Sequence, residues 1–376
     1  MNATGKQLTA VEQIKGKYFP ANAAEFDDCL NFKGETQSHQ RMSLWYVLNR
    51  SSVTVNEEDN TGRNTDDTSR SILKPEVFLL HCLEILKQKE KDVPRNEREI
   101  LETFKNHVAS GVPDKISPST LLETMKTYRE WLDKNIIYLK AAADGSWEYT
   151  FRREEEDETY ESSPDDKKLK QFQSMLYVSS SNYQEWVLDA YRAHPVSENI
   201  SIPLKLLKDQ DAKRHTLDPN AMNYQSIDRY WFWKLDYLLW ESFIDNEKSF
   251  GFNPKDKDDN AAISAIRNYK FRRNRSIEHL HPQTDGDVHE WKEAKHQFGN
   301  LAMISSSFNS LQQNDSIGVK FARLRDIQIP HKNLESIKML LMFKRAGGQE
   351  SGWTVKAMQD HGIEMLALLG TQKSNN

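Results

Sequence analysis

The chain has 376 residues, is 37% hydrophobic and 28% charged, and carries a net charge of −5. Its nine Trp and sixteen Phe need burial, which excludes a largely disordered chain. No run approaches the roughly 18 apolar residues of a membrane span, and the N-terminus lacks the apolar stretch of a secretory signal.

At about 150 residues per domain, the length suggests two or three domains. The first apolar cluster, Met42 to Leu48, predicts a buried helix. The polar stretch at 51–71 predicts a mobile loop. Pro75 opens an apolar run that reads as a buried helix. Helices are expected over 97–110 and over 117–143, the second opened by Ser117-Pro118. An acidic stretch, 152–168, reads as a solvated linker. Helices resume from Lys168. The run from Tyr230 to Phe243 holds seven aromatics and reads as a core helix, although such a stripe can also stack bases. Another helix is expected at 260–271. Cys29 and Cys82 form no CxxC pair, so neither a disulfide framework nor a cysteine zinc site is expected, and the location is read as cytoplasmic. The fold class is mainly α with a small β element: a helical N-terminal region (1–150), an acidic linker (151–168), and a helical scaffold (169–376) containing the motif core (272–325).

Net charge hides an asymmetry. Between Arg267 and Arg345 there are 14 Lys plus Arg against 8 Asp plus Glu. A basic segment on an acidic chain can steer phosphates. Within it lies Arg273-Asn274-Arg275-Ser276-Ile277-Glu278-His279-Leu280-His281-Pro282. Downstream come Trp291, then Phe298-Gly299-Asn300-Leu301 before an apolar run, then Asn309 and Lys320.

This order resembles the HNH, or ββα-metal, nucleases, and in particular the C-terminal nuclease domain of GmrSD-type modification-dependent restriction endonucleases. The matching positions are Glu278-His279, Pro282, Trp291, Gly299-Asn300-Leu301, Asn309 and Lys320, with Trp353 leading the final helix. The resemblance covers roughly the last 150 residues. It implies a phosphodiesterase of phage defence acting on DNA. The sensor motif of that family is absent: Gly34 to Leu44 offers only a distant match, and no GxxxxGK[ST] loop is present. A separate sensor or NTPase subunit is therefore expected, with the N-terminal region docking to it.

The residue types fit such chemistry on their own account. Hydrolysis of a phosphodiester needs an activated water and a cation on the phosphate. A histidine can take a proton from water near neutral pH, which assigns His279 as general base. A carboxylate and an amide oxygen suit Mg²⁺, or Mn²⁺ in its place, which assigns Glu278 and Asn309 as ligands. Asn300 would brace the loop holding His279, Lys320 would contact a phosphate, and Arg272, Arg273 and Arg275 would position the DNA backbone.

Alternatives stay open. Glu278 and His279 point to opposite faces of a regular strand, so they share a site only if the strand ends or bulges there. His281 is a rival base and Asn314 a rival amide ligand. Asn309 can equally cap a helix. Asp285, Asp287, His289 and His296 could join the histidine pair around zinc. The same site could cut RNA, or the domain could be a decayed nuclease acting as an adaptor.

Overall fold

The computed structural model describes residues 8–30, 69–87, 93–142, 146–152, 163–194, 201–283, 289–306, 308 and 315–370. The expected helix at 42–48 lies outside them, as do most of the polar stretch at 51–71 and of the acidic stretch. The chain divides into two compact units, one comprising residues 1–173 and 180–210, the other 174–179 and 211–376. Among the described residues there are thirteen α-helices, one three-stranded sheet and one two-stranded ribbon, a mainly α fold.

The first unit begins with α1 (Ala10–Tyr18), closed by a capping box between Thr9 and Glu12, and α2 (Ala23–Leu30). After β1 (Ser69–Ser71) comes α3 (Pro75–Lys87), whose residues Val77 to Glu84 are all buried. Helices α4 (Ile100–His107) and α5 (Pro118–Asn135) follow. Ser117 caps α5 by accepting the Thr120 N–H at 3.1 Å, with Pro118 in the first turn, where its missing donor costs nothing.

Two sequence expectations fail here. The helix predicted to run to residue 143 stops at Asn135, and Tyr138–Ala141 is β2. The β-branched Ile136 takes an extended conformation, and the buried Asn135 amide donates to the Trp131 carbonyl at 2.9 Å, fixing the exit. The polar stretch at 51–71 likewise ends in a strand, because Ser69–Ser71 pairs antiparallel with β2. With β3 (Trp147–Thr150) on its other side, β2 becomes the central strand of order β1-β2-β3. Helices α6 (Pro164–Ser179), α7 (Glu185–Ala193) and α8 (Leu204–Arg214) follow, with residues 174–179 of α6 and 211–214 of α8 belonging to the second unit.

In the second unit the aromatic run forms α9 (Tyr230–Asp245), which is buried from Phe232 to Trp240 and packs on α10 (Lys257–Arg267), α12 (Ile337–Arg345) and α13 (Val355–Gly370). It is a core helix. Its Asp236 is buried and accepts from the Lys338 N–H (2.9 Å), Ser336 Oγ (3.2 Å) and Tyr269 Oη (3.1 Å). Burial raises its carboxyl to about 6. Beside this core lies an antiparallel ribbon of β4 (Ser276–His279) and β5 (Leu301–Ile304). Helix α11 (Ile317–Arg323), continued by a π-helical turn over Leu324–Gln328, packs next to it, with Leu280, Ile304, Ile317, Phe321 and Trp353 in one apolar cluster.

Candidate active site

Glu278 sits opposite Ala302, and His279 opposite Leu301. The ladder keeps register through His279 without a bulge, so the two side chains leave opposite faces of the ribbon. The strand ends at His279, three residues before Pro282.

On one face, the Glu278 carboxylate is buried against the Lys320 ammonium at 2.5 Å. Burial pushes the Glu278 carboxyl above its ordinary value; Lys320 opposes this, and the charge of Asp315 adds to it. Lys320 comes from α11 and is 1% exposed. Its Nζ also donates to the carbonyl of His279 at 2.6 Å and, more weakly, to that of Leu280 at 3.4 Å. Lys320 therefore does not present its charge to solvent, as a phosphate contact would require. It is the side chain that joins the Glu278 face to the backbone of His279.

On the other face, the His279 imidazole is 5% exposed. Its Nε2 lies 3.2 Å from His296 Nδ1, and the Gln283 amide lies 3.0 Å from its Nδ1. The rings of Tyr224 (4.4 Å) and His296 (5.3 Å) meet it edge to face. Burial, and then the neighbouring His296, Lys320 and Lys295, hold the imidazole neutral, with its pKa lowered to about 3.

Asn300 is fully buried at the start of β5 and spends its whole amide on its neighbours. Its Oδ1 accepts the His281 N–H at 2.8 Å and the Trp353 indole N–H at 3.2 Å. Its Nδ2 donates to the carbonyls of His281 (3.1 Å) and Lys295 (2.9 Å). One side chain thus clips the turn after His279 to the segment that carries His296. The adjacent Gly299 is required by packing: a Cβ there would stand 2.2 Å from the Met358 carbonyl of α13. The buried Lys338 steadies the same turn, donating to the carbonyls of Phe298 (2.7 Å) and Leu301 (2.5 Å).

Glu278, the His279 backbone and Lys320 are thus in direct contact, and Asn300 holds the next turn. Asn309 and its rival Asn314 lie outside the described residues. The arginines are not drawn into this cluster. Arg272 bonds Asn333 and pairs with Glu335 at 3.4 Å; Arg273 is exposed and covers the Tyr177 ring at 4.8 Å; Arg275 is exposed, its carbonyl accepting from Arg229 Nε at 3.1 Å. The His281 ring packs on Trp291, with centroids 4.0 Å apart. Among the described residues no three His, Cys, Asp or Glu side chains converge on one point; Asp285, Asp287 and the His289 side chain, which the zinc alternative also names, lie outside them.

Tyr224, Gln283 and Lys338 belong to no motif of the sequence. For His296 the sequence suggests only a zinc ligand. Its partnership with His279 depends on the pairing of 222–224 with 296–298, which no local pattern announces.

Residues 208–368 match the model of the GmrSD restriction endonucleases, C-terminal domain, so this segment is similar to that domain. No curated protein and no solved structure matches the chain. No helix among the described residues is long and apolar enough to cross a membrane.

Proposed function

We propose that the protein is a metal-dependent DNA endonuclease subunit of a modification-dependent restriction system of phage defence. The observation that carries the reading is the match of residues 208–368 to the GmrSD C-terminal domain, a segment that contains the whole Glu278–His279–Asn300–Lys320 cluster.

Mg²⁺ fits the donor chemistry. Glu278 offers a hard carboxylate, and Mg²⁺ needs only one or two protein oxygens beside waters and substrate phosphate; because Glu278 is paired with Lys320 and Asp315 with Arg323, the ion would have to displace the Lys320 ammonium to reach it. Glu278 and the Asn309 amide would hold it, with Mn²⁺ as a substitute. When bound, the ion would neutralise charge on the scissile phosphate and ease departure of the leaving oxygen.

In this reading His279 takes the proton of the attacking water from the opposite face of the ribbon to Glu278, so the phosphate must reach round the strand end at His279, and relief of the burial that lowers its pKa restores its basicity. Its present covering by Gln283 and His296 must give way for water to reach a ring nitrogen. Lys320 keeps Glu278 and the His279 carbonyl at fixed spacing, and Asn300 keeps the following turn in place. Arg273 and Arg275, exposed at the entry to β4, meet the sugar–phosphate backbone. A separate sensor or NTPase subunit supplies recognition, docked through the N-terminal region.

The test is cleavage of duplex DNA and of RNA, offered side by side with Mg²⁺ and with EDTA. Mg²⁺-dependent cutting of DNA is expected. Preferential cutting of RNA would replace the DNA reading with a ribonuclease, and phage protection that survives both Glu278→Ala and His279→Ala would replace it with a non-catalytic adaptor.

A further inference from the structure

Tyr224 lies outside the ribbon and its following helix, yet it is fixed against them. Its N–H donates to the His296 carbonyl at 2.9 Å, Asn223 forms an antiparallel bridge with Gln297, and the Phe298 N–H donates to the Met222 carbonyl at 3.2 Å. These bonds attach the Tyr224 segment to the same stretch that the Asn300 amide holds through the Lys295 carbonyl. The ring is thereby placed edge to face on His279 and within 28° of parallel to His296, with centroids 5.9 Å apart.

In spite of this fixing, Tyr224 remains 39% exposed. Single exposed aromatics are ordinary on protein surfaces and call for no explanation. An exposed aromatic immobilised by two elements against the candidate base is a different case. Backbone bonds hold its segment to 296–298, while the residue stays partly open to solvent. Aromatic and imidazole rings are the groups on which unstacked nucleobases lie, because every base has a π-face. Lys295, half-buried beside His296, puts a positive charge on the same rim and donates to the Gln283 carbonyl at 2.7 Å.

We propose that Tyr224, backed by His296, is a nucleobase-stacking platform that seats an unstacked nucleotide beside the scissile phosphate. The inference rests on the nuclease reading above and names a substrate contact within that site.

The experiment compares two fluorescein-labelled single strands of equal length, one intact and one whose central bases are replaced by abasic sites, binding the full chain in EDTA. The two probes carry the same phosphates, so their affinity ratio isolates the base contact. The wild-type chain is expected to prefer the intact strand by roughly ten-fold or more, as one stacked base commonly confers. Tyr224→Ala should bring the ratio close to one, and Tyr224→Phe should keep it. An unchanged ratio in a folded Tyr224→Ala protein, which is what mere packing on His279 would give, overturns the proposal. So does a Tyr224→Phe protein as impaired as Tyr224→Ala, because the ring and not the hydroxyl is invoked. Since the readout is binding without divalent metal, it can fail while Mg²⁺-dependent cleavage succeeds; failure of the wild-type chain to bind either strand would instead overturn the nucleic-acid reading beneath it.

Discussion

Each unit buries a histidine whose imidazole is held neutral, and the two differ in what holds it. His81, on α3, is fully buried; its ring nitrogens lie 2.8 Å from Tyr128 Oη and 2.9 Å from the Tyr183 carbonyl, and burial lowers its pKa to about 4. Both partners belong to the core. His279 is nearly as buried, but its partners stand at an edge: Gln283 is exposed, His296 half-buried and Tyr224 exposed. A depressed pKa therefore does not by itself separate a structural histidine from a candidate base. The separating feature is whether the partners can move aside while the backbone beneath stays fixed. At His279 that backbone is fixed by Lys320 and Asn300.

The comparison can be broken first at Lys320. Lys320→Met leaves Glu278 buried without its cation and should destabilise the second unit by roughly 3–5 kcal/mol, as loss of one partner of a buried pair does. Hydrogen exchange of β5 amides measures it. Adding Glu278→Gln should recover part of the loss; no recovery would mean that the carbonyl contacts, not the pair, carry the effect. Next comes Asn300→Ala, which strips partners from the His281 backbone, the Lys295 carbonyl and the Trp353 indole. A loss on the order of 3 kcal/mol is expected in the same measurement.

His81 sharpens the other side. Its folded pKa lies below the unfolded value of about 6.5, so its contribution is fully present above that pH and is lost as pH falls toward about 4. Hydrogen exchange of α3 should show about 1.4 kcal/mol of destabilisation per pH unit in that window from this one group, absent in His81→Gln. The smallest effect belongs to Gln283→Ala. If Gln283 is the movable cover described above, its loss should change stability by less than about 0.5 kcal/mol.

Much of this could be read along the chain wherever the determinant was local. Ser117-Pro118 announces the start of α5, and the apolar run after Pro75 announces α3. Gly299-Asn300 marks a turn whose tightness the structure traces to Met358. The order Glu278-His279, Asn300, Lys320 points to one neighbourhood of the fold. What escaped was non-local. The end of α5 depends on Ile202, whose N–H bonds the Asn135 side chain from 67 residues away, and on strands that pair with β2 from distant parts of the chain. The inward turn of the Lys320 ammonium depends on a buried carboxylate 42 positions earlier, so its charge looked available to a phosphate. The aromatic flank of His279 requires 222–224 to meet 296–298, across about seventy residues.

The central claim is that His279, and not merely the fold around it, supports hydrolysis. Its most direct test is the single-turnover rate of Mg²⁺-dependent duplex cleavage by His279→Ala, with His81→Gln beside it as the core control. The account predicts a loss of roughly 10²–10⁴-fold for His279→Ala, as removal of a general base commonly gives, and an unchanged rate for folded His81→Gln. A folded His279→Ala protein that cuts at the wild-type rate would contradict it.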